Sequence, residues 1–374
     1  MKNIFSFAFR DLATSVLLFL VGLTGMAPMC LAMNVSSVHF QLKLLSLPVG
    51  TYFDSEVVDL NLDGKMDLAV LNDVALYVLL GDGNGNFSAP TPYNQGGFQT
   101  VLAFGDFNGD GFPDAAVANF PGINVLLNNG AGGFPTSLFI NTGQEPSGLA
   151  VADFNLDGKL DLAVSDFQAN SISILLGDGN GGFASPVIVA AGTSPAGLVV
   201  GDFDSDGVAD LAAAEYGSMD LRIFKGVGNG TFRTVASYPL GGNANTLVRA
   251  DFNHDGKVDL AIGVFNSNQQ IAVFLAQGSG GFAQSDSVPG SPLYAGLAAA
   301  DIAGNSTTDL VFLNGTEMDV ALGNGDGTFR AARPATLPHS GGADYTLSTG
   351  DLNGDGRTDV FTARGTGVLL LTTP

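Results

Sequence analysis

The sequence predicts an all-β protein, a seven-bladed β-propeller closed by an N-terminal strand that completes the last blade. Three observations predict this fold: a repeat of nearly fifty residues, alternating apolar residues within each repeat, and a last repeat whose missing part stands at the N-terminus. Repeats of this length are typical of propeller or solenoid arrays, in which each repeat is one supersecondary unit.

The repeat is defined by an acidic segment, of which "DFNLDGKLDLAV" from Asp153 is a complete example. Six segments keep the pattern D-x-N/D-x-D-G-x-x-D, and the segment from Asp301 is a degenerate seventh copy. Successive segments are 47 to 50 residues apart, so seven units fill residues 33–374 and leave no room for another domain. The first residues of the segments are Asp59, Asp106, Asp153, Asp202, Asp251, Asp301 and Asp351.

Each repeat contains four short segments in which apolar and polar residues alternate, as expected for antiparallel strands. In the third repeat we expect strands over residues 148–154, 160–167, 171–176 and 183–190. A Gly-rich segment such as "GDGNGGF" links the third strand to the fourth and is typical of a hairpin turn that needs positive φ. A phosphate-binding loop is not favoured, because no Lys-Ser/Thr pair and no helix follow it.

The seventh repeat lacks both the turn phenylalanine and a fourth strand. In five other repeats the turn phenylalanine stands 19 residues before the next acidic segment, and Phe40 likewise stands 19 residues before Asp59. The segment "VHFQLKLL" around Phe40 is therefore predicted to be the outer strand of the seventh blade. This pairing would remove two free sheet edges and join the chain ends.

Residues 1–32 differ in kind from the rest of the chain. Lys2 and Arg10 precede an uncharged apolar run that ends in Cys30-Leu31-Ala32, which is typical of a secretory signal peptide cleaved after Ala32. The run is also long enough to span a bilayer, so an uncleaved anchor, and with it a membrane as partner, stays open. We expect a secreted or cell-surface protein without disulfides, since Cys30 is the only cysteine.

Oxygen-bearing side chains occupy positions 1, 3, 5 and 9 of each complete segment, and position 7 offers a backbone carbonyl. This set of hard oxygen ligands suits Ca²⁺, and an EF-hand is excluded because Val164 stands where that motif needs a bidentate Glu. We predict about six calcium sites, with the sixth loop (Asp301–Asp309) empty or weak because Ala303, Asn305 and Ser306 replace two ligands and a glycine. The predicted calcium ligands are Asp59, Asn61, Asp63, Lys65, Asp67, Asp106, Asn108, Asp110, Phe112, Asp114, Asp153, Asn155, Asp157, Lys159, Asp161, Asp202, Asp204, Asp206, Val208, Asp210, Asp251, Asn253, Asp255, Lys257, Asp259, Asp351, Asn353, Asp355, Arg357 and Asp359.

The acidic segments and turns such as "LLGDGNGGF" resemble the FG-GAP family, also described as VCBS-type repeats. The best-known members of that family are the calcium-binding blades of integrin alpha-chain propellers. The resemblance covers the chain from about residue 38 to the end. It implies a seven-bladed propeller with calcium under its lower rim and a role in extracellular adhesion or recognition. It names no ligand, because one fold serves many functions.

Charge and motifs narrow the possible functions. The net charge of −22 is largely explained by nineteen carboxylates in the six complete loops, and fourteen Lys and Arg residues form no basic stripe for nucleic acid. H-E-x-x-H and G-x-S-x-G are absent, and His39, His254 and His339 have no partner motif. A non-enzymatic role is favoured, and the alternative is a polysaccharide-active lyase or hydrolase on a propeller scaffold. The sequence does not indicate the oligomeric state.

An aromatic face is predicted opposite the acidic loops. Four consecutive repeats carry an aromatic residue in the turn between their second and third strands, and loops entering other blades hold further aromatics, Tyr52 among them. Such rings either line a binding face for an extracellular protein or glycan, or pack against the neighbouring blade. The absence of tryptophan argues against a sugar-stacking lectin. The candidate ligand-binding residues are Phe98, Phe120, Phe167, Tyr216, Phe265, Tyr294 and Tyr345.

Overall fold

The computed structural model describes residues 31–35, 38–94, 96–97, 99–142, 145–266, 270–290, 296–314, 317–337, 346–364 and 366–373. These residues form 29 strands in seven antiparallel sheets, which are the blades of a seven-bladed β-propeller. The predicted all-β fold class is confirmed. Over the described ranges we find no helix with the length and apolar character needed to cross a membrane.

Two strands precede the first blade, β1 (Leu31–Val35) and β2 (Val38–Leu45). Six four-stranded blades follow, each ordered here from its innermost strand outward. Blade 1 contains β3 (Tyr52–Val58), β4 (Asp67–Asn72), β5 (Ala75–Leu79) and β6 (Thr91–Asn94). Blade 2 contains β7 (Gln99–Gly105), β8 (Asp114–Asn119), β9 (Gly122–Leu127) and β10 (Thr136–Asn141). Blade 3 contains β11 (Pro146–Ala152), β12 (Asp161–Asp166), β13 (Ser171–Leu175) and β14 (Val187–Ala190).

The second half of the ring repeats this arrangement. Blade 4 contains β15 (Pro195–Gly201), β16 (Asp210–Glu215), β17 (Asp220–Gly226) and β18 (Phe232–Pro239). Blade 5 contains β19 (Asn243–Ala250), β20 (Asp259–Phe265), β21 (Gln270–Ala276) and β22 (Phe282–Pro289). Blade 6 contains β23 (Leu297–Ala300), β24 (Asp309–Asn314), β25 (Glu317–Ala321) and β26 (Arg333–Thr336). Blade 7 begins with β27 (Thr346–Gly350), β28 (Asp359–Arg364) and β29 (Thr366–Thr373).

The N-terminal strand closes the ring as predicted. Strand β2 pairs antiparallel with β29, in a register that runs from His39 opposite Thr373 to Leu45 opposite Gly367. It is therefore the fourth strand of blade 7, and β1 adds a fifth strand outside it. The predicted signal peptide, with Cys30, lies outside the described residues except for Leu31 and Ala32, which begin β1.

The predicted strands of the third repeat are all present, but their ends differ from the prediction. The largest difference is in the fourth strand, which was expected from residue 183 and begins at Val187. Phe183 instead forms an isolated bridge with Gly177, which closes the Gly-rich turn. Pro186 precedes β14 and has no N–H to donate, so the strand ladder cannot continue through it.

The hydrophobic core is divided into layers between neighbouring blades. Each of seven clusters of buried side chains combines residues of two adjacent blades; one, for example, joins Leu68 and Val70 of blade 1 to Phe361 and Leu369 of blade 7. Both faces of a blade are thus covered, which is why second strands such as β12 are buried along their whole length. Outer strands such as β14 are exposed on most positions.

Four acidic loops, the second, third, fifth and seventh, are also tied to the next blade by a backbone hydrogen bond from that blade's Gly-rich turn. Gly181 N in blade 3 donates to Phe107 O in the second loop (2.9 Å), and the rings of Phe107 and Phe183 meet edge to face at 5.6 Å. The same link crosses the closure, where Gly85 N of blade 1 donates to Leu352 O of blade 7 (3.0 Å). The loops are consequently part of the contacts that hold the blades together.

Candidate metal-binding loops and recognition face

The acidic loops connect the first and second strands of every blade, as the third loop does between β11 and β12. Because the inner strands of all blades run in the same direction, the seven loops lie on one face of the ring, which we call the lower face. The turns between second and third strands lie on the opposite, upper face. The predicted location of the loops is confirmed, whereas the identity of any ion that they bind stays a prediction.

Backbone N–H groups fix the carboxylates of each complete loop. In the third loop Asp153 accepts hydrogen bonds from Asp157 N (3.1 Å) and Gly158 N (2.7 Å) through its two oxygens. Asn155 Oδ1 also accepts from Asp157 N (3.0 Å), and Asp157 Oδ1 accepts from Lys159 N (3.0 Å). Gly158 has a φ of +82°, which the sharp turn at position 6 requires. The oxygen side chains of positions 1, 3 and 5 are thus held in place by the loop itself.

The aspartate at position 9 connects the acidic loop to the Gly-rich turn of its own blade. Asp161 Oδ2 accepts from Phe154 N (2.8 Å) inside the loop, and its Oδ1 accepts from Gly177 N (2.7 Å) at the turn. Equivalent pairs of bonds occur in all seven blades, including the degenerate sixth, where Asp309 makes them. Position 9 therefore has a structural role in addition to its predicted role as a ligand.

Burial of the position 9 aspartates raises their pKa values. The pKa of Asp359 is raised to about 7, mainly by burial and further by the nearby carboxylates Asp355 and Asp351. Burial likewise raises the pKa of Asp114 to about 6. Since the ionised form is disfavoured in this setting, a bound cation would relieve the cost of keeping these groups charged.

The fourth loop brings the most carboxylates together. One oxygen each of Asp202, Asp204 and Asp210 lie within 4.8 Å of one another, and Asp204 Oδ1 is buried with no described donor. These converging oxygens fit a hard divalent cation. The ammonium group of Lys225, on β17, contacts Asp204 and lies 2.7 Å from Asp206 Oδ2. A metal ion in this loop would compete with Lys225 for the same oxygens.

The sixth loop keeps the backbone shape without the full ligand set. Asp301 accepts from Asn305 N (3.0 Å) and Ser306 N (2.7 Å), as the first aspartate does in complete loops. Ser306 adopts a φ of +65°, although it is not glycine. Because Ala303 has no oxygen to offer at position 3, the side chain at that position is dispensable for the turn. The oxygen at position 3 of the six complete loops is therefore not needed for the shape of the turn.

A conformational requirement at position 4 was not foreseen from the sequence. Leu62, Leu156, Ser205 and His254 all have positive φ, between 54° and 61°. Three other loops place glycine at this position, and that alternation was the available signal. His254 is therefore part of a loop's backbone turn.

The upper face carries the predicted aromatic residues that can be located. Phe120 is 52% exposed and Tyr216 is 41% exposed, while Phe167 and Phe265 are half-buried. The rings of Phe167 and Tyr216 contact each other across blades 3 and 4, with centroids 5.9 Å apart. This pair therefore packs between two blades and still leaves Tyr216 exposed, while a role of these rings in ligand binding stays a prediction.

Four further aromatic residues differ from this group. Phe98, Tyr294 and Tyr345 lie outside the described residues. The prediction that Tyr52 belongs to an entry loop is wrong, because it lies in β3, is 2% exposed and donates its hydroxyl to Pro48 O. Its ring packs between blades 1 and 7.

Solved structures with a similar fold include a BBS1N chain and an Agrocybe aegerita lectin. The BBS1N chain in its complex with ARL6DN, from a crystal soaked with mercury, has a TM-score of 0.62 and 14% identity, and the match covers 87% of this chain and 94% of that one. A structure of an Agrocybe aegerita lectin that recognises non-reducing terminal N-acetylglucosamine has a TM-score of 0.58 and 19% identity, with 86% of each chain covered. At these identities the likeness shows the fold alone. No curated protein matches the sequence.

The FG-GAP-like repeat profile matches the chain six times, and each match spans two successive acidic loops. The matched segments are residues 59–117, 106–164, 153–213, 206–262, 251–312 and 301–362. Together they extend without interruption over most of the chain and coincide with the blades described above. The chain therefore belongs to the FG-GAP-like repeat family.

Proposed function

We propose that this protein is a secreted, calcium-stabilised propeller that recognises an extracellular protein or glycan without catalysing a reaction. The observation that carries the proposal is the division of the ring into two faces. The lower face holds loops whose oxygens are arranged for a hard cation, and the upper face presents exposed aromatic rings.

Calcium is the cation that best fits the lower face. Its coordination by six to eight oxygen atoms agrees with loops that offer oxygens at positions 1, 3, 5, 7 and 9. Bound calcium would hold each loop in the shape that contacts the next blade, for example through Gly181 N and Phe107 O. Its proposed role is therefore structural, in support of the upper face.

The upper face suits recognition because large exposed rings are typical anchors of binding interfaces. Phe120, on blade 2, and Tyr216, on blade 4, are both more than two-fifths exposed. The two structural neighbours described above bind ARL6DN and a terminal N-acetylglucosamine. Their function is compatible with recognition here and does not select a ligand.

The alternative, a polysaccharide-active enzyme, has weaker support. Such an enzyme needs acid, base and arginine groups in a cleft that is open to a polymer. Of the histidines that the structure describes, His254 belongs to an acidic loop and His39 lies on the outer strand β2. Beside the exposed ring of Tyr216, the carboxylates of Glu215 and Asp220 are already paired with Arg222.

The recognition proposal is tested by screening the intact protein on glycan and extracellular-protein arrays, with and without about 1 mM calcium. We expect calcium-dependent binding that weakens at least tenfold in Phe120→Ala and in Tyr216→Ala, because buried aromatic anchors dominate interface energies. Phe139→Ala is the matched control, since Phe139 is 48% exposed on the outer strand β10 of blade 2. Binding that is lost equally in all three variants would contradict the assignment to the upper face.

Export is tested separately by the intact mass of the protein released from cells. We expect a mature chain that begins at Met33 and has no cysteine, because cleavage after Ala32 removes Cys30. A membrane-bound product that retains residues 1–32 would contradict secretion and support the anchor.

A further inference from the structure

The innermost strands of the blades surround an axial channel that contains a cavity of about 380 Å³. The cavity is lined by residues of β3, β15, β19, β23 and β27, so five of the seven blades contribute to it. This volume lies in the range of pockets that hold small molecules. The cavity is separate from the acidic loops and from the aromatic residues of the upper face.

The charged residues of this channel come from two blades. Asp54 and Glu56 lie on β3 and Arg249 lies on β19, whereas β7, β11, β15, β23 and β27 carry no charged residue. All three charged side chains line the cavity. Counted back from the acidic loop, the position of Glu56 holds only Ala, Val or Ser in the other six blades. Glu56 is thus an exception at its position in the repeat, and it lines the same cavity as Arg249.

The opposite charges belong to blades on opposite sides of the axis. In a ring of seven, blade 1 stands opposite blades 4 and 5, so Glu56 and Arg249 extend from opposing walls. Both side chains are solvent-exposed, and neither makes a hydrogen bond or an ion pair with another described residue. A carboxylate and a guanidinium that share a cavity without pairing are available to a ligand that carries both complementary charges.

Asp54 differs from Glu56 because the protein holds it in place. It accepts hydrogen bonds from Leu102 N of blade 2 (2.8 Å) and from Ser55 N (2.9 Å). The surrounding strands displace water from both carboxyl groups and so raise their pKa values, although the end of the Glu56 side chain still reaches solvent in the channel. The charge of Asp54 raises the pKa of Glu56 further. A cationic group placed between them would favour their ionised forms.

We propose that the axial channel binds a small zwitterion of amino-acid size, with its amine at Glu56 and Asp54 and its carboxylate at Arg249. A simple cation would leave the guanidinium of Arg249 without a partner, and a simple anion would leave the two carboxylates without one. A dipolar molecule satisfies both walls at once. The hydroxyl groups of Thr246, Ser348 and Thr349, which also line the cavity, can hydrogen-bond its polar atoms.

The test is calorimetric titration of the intact protein with unbranched ω-amino acids, from glycine to 6-aminohexanoate, in low salt. We expect affinity to peak at one chain length, set by the gap between Glu56 and Arg249, and to fall at least tenfold for butylamine and for butyrate. Absence of binding by every member of the series at about 10 mM, a concentration that detects millimolar affinity, would overturn the proposal.

Substitutions then test whether Glu56 and Arg249 each contact the ligand. Glu56→Gln and Arg249→Gln should each weaken binding of the best ω-amino acid at least tenfold, with the melting temperature unchanged because neither side chain has a described partner. Arg233→Gln, at an exposed position of the outer strand β18, should have no effect. Equal binding by the wild type and both single variants would overturn the proposal.

Discussion

Removal of calcium by a chelator is expected to lower the melting temperature of this protein by more than about 10 °C. Extracellular calcium sites commonly have dissociation constants of about 0.1 to 1 mM. At about 1 mM calcium, a site at the tight end of this range adds roughly 1.4 kcal/mol, and six sites add on the order of 8 kcal/mol to the free energy of unfolding. That sum is comparable to the stability of a typical domain. Differential scanning calorimetry with and without chelator measures it.

The number of sites is checked by calorimetric titration of the calcium-free protein. We expect a stoichiometry near six, with the weakest site in the fourth loop, because calcium must displace the ammonium group of Lys225 there. Asp157→Ala should remove one site, whereas Asn305→Ala in the degenerate loop should leave the stoichiometry unchanged. No binding at millimolar calcium would refute the metal assignment.

A matched pair of substitutions separates the metal from the scaffold in a single loop. Asp161→Ala removes the acceptor of two buried N–H groups, those of Phe154 and Gly177. Unsatisfied buried groups cost about 1–3 kcal/mol each, so this variant should lose about 2–6 kcal/mol even in the absence of calcium. Asp157→Ala should match the wild type once calcium is removed. Similar losses in the two chelated variants would mean that position 5 is also structural.

Deletion of residues 34–46 is expected to abolish the folded ring. The deletion removes β2 and the buried side chains of Val38, Phe40, Leu42 and Leu45. Each such side chain contributes roughly 1.5–3 kcal/mol through burial, so the total approaches the stability of a whole domain. The bare edge of β29 would also be open to intermolecular pairing. Size-exclusion chromatography and limited proteolysis should show aggregation and rapid cleavage.

Closure of the ring by β2 can also be tested with single substitutions and with an added peptide. Phe40→Ala should lower the stability by about 3–5 kcal/mol, whereas Gln41→Ala, on the exposed face of the same strand, should have little effect. A synthetic peptide of residues 34–46 should restore the monomer by adding the missing strand in trans. A deleted protein that stays monomeric, with an unchanged melting temperature, would show that the ring does not depend on β2.

Much of the fold could be predicted from the sequence, because the short patterns that define a blade recur along the chain. The spacing between Phe40 and Asp59 was enough to place β2 in the last blade, and the acidic pattern located every loop. Strand ends were less certain, since a period-two pattern continues through Phe183 although Pro186 stops the ladder before β14. Tyr52 was misplaced because an aromatic residue near a blade entry can belong to a loop or to an inner strand.

The sites were predictable only where one repeat contains all of their parts. One acidic segment contains Asp202, Asp204 and Asp210. Lys225, which contacts Asp204, lies on β17, the third strand of the same blade. The meeting of Glu56 with Arg249 depends on the order of the blades around the axis. A position-by-position comparison of the inner strands would have marked both residues as exceptions, although only the three-dimensional ring places them in one cavity.

The junction between blades 7 and 1 differs from the other six in one buried position. Ser55 occupies the place where the other inner strands have a buried leucine, such as Leu102, and its hydroxyl lies 3.0 Å from those of both Thr346 and Ser348. Only blade 7 offers a hydroxyl at both places, since blade 5 has Thr246 in the place of Thr346 but Val248 in the place of Ser348. If blade 1 docked against another blade, Ser55 would lose at least one partner, at a cost of about 1–3 kcal/mol. Nearly identical repeats are prone to assembling in the wrong order or with a neighbouring molecule. The hydroxyl trio thus favours the one arrangement in which the first blade meets the last.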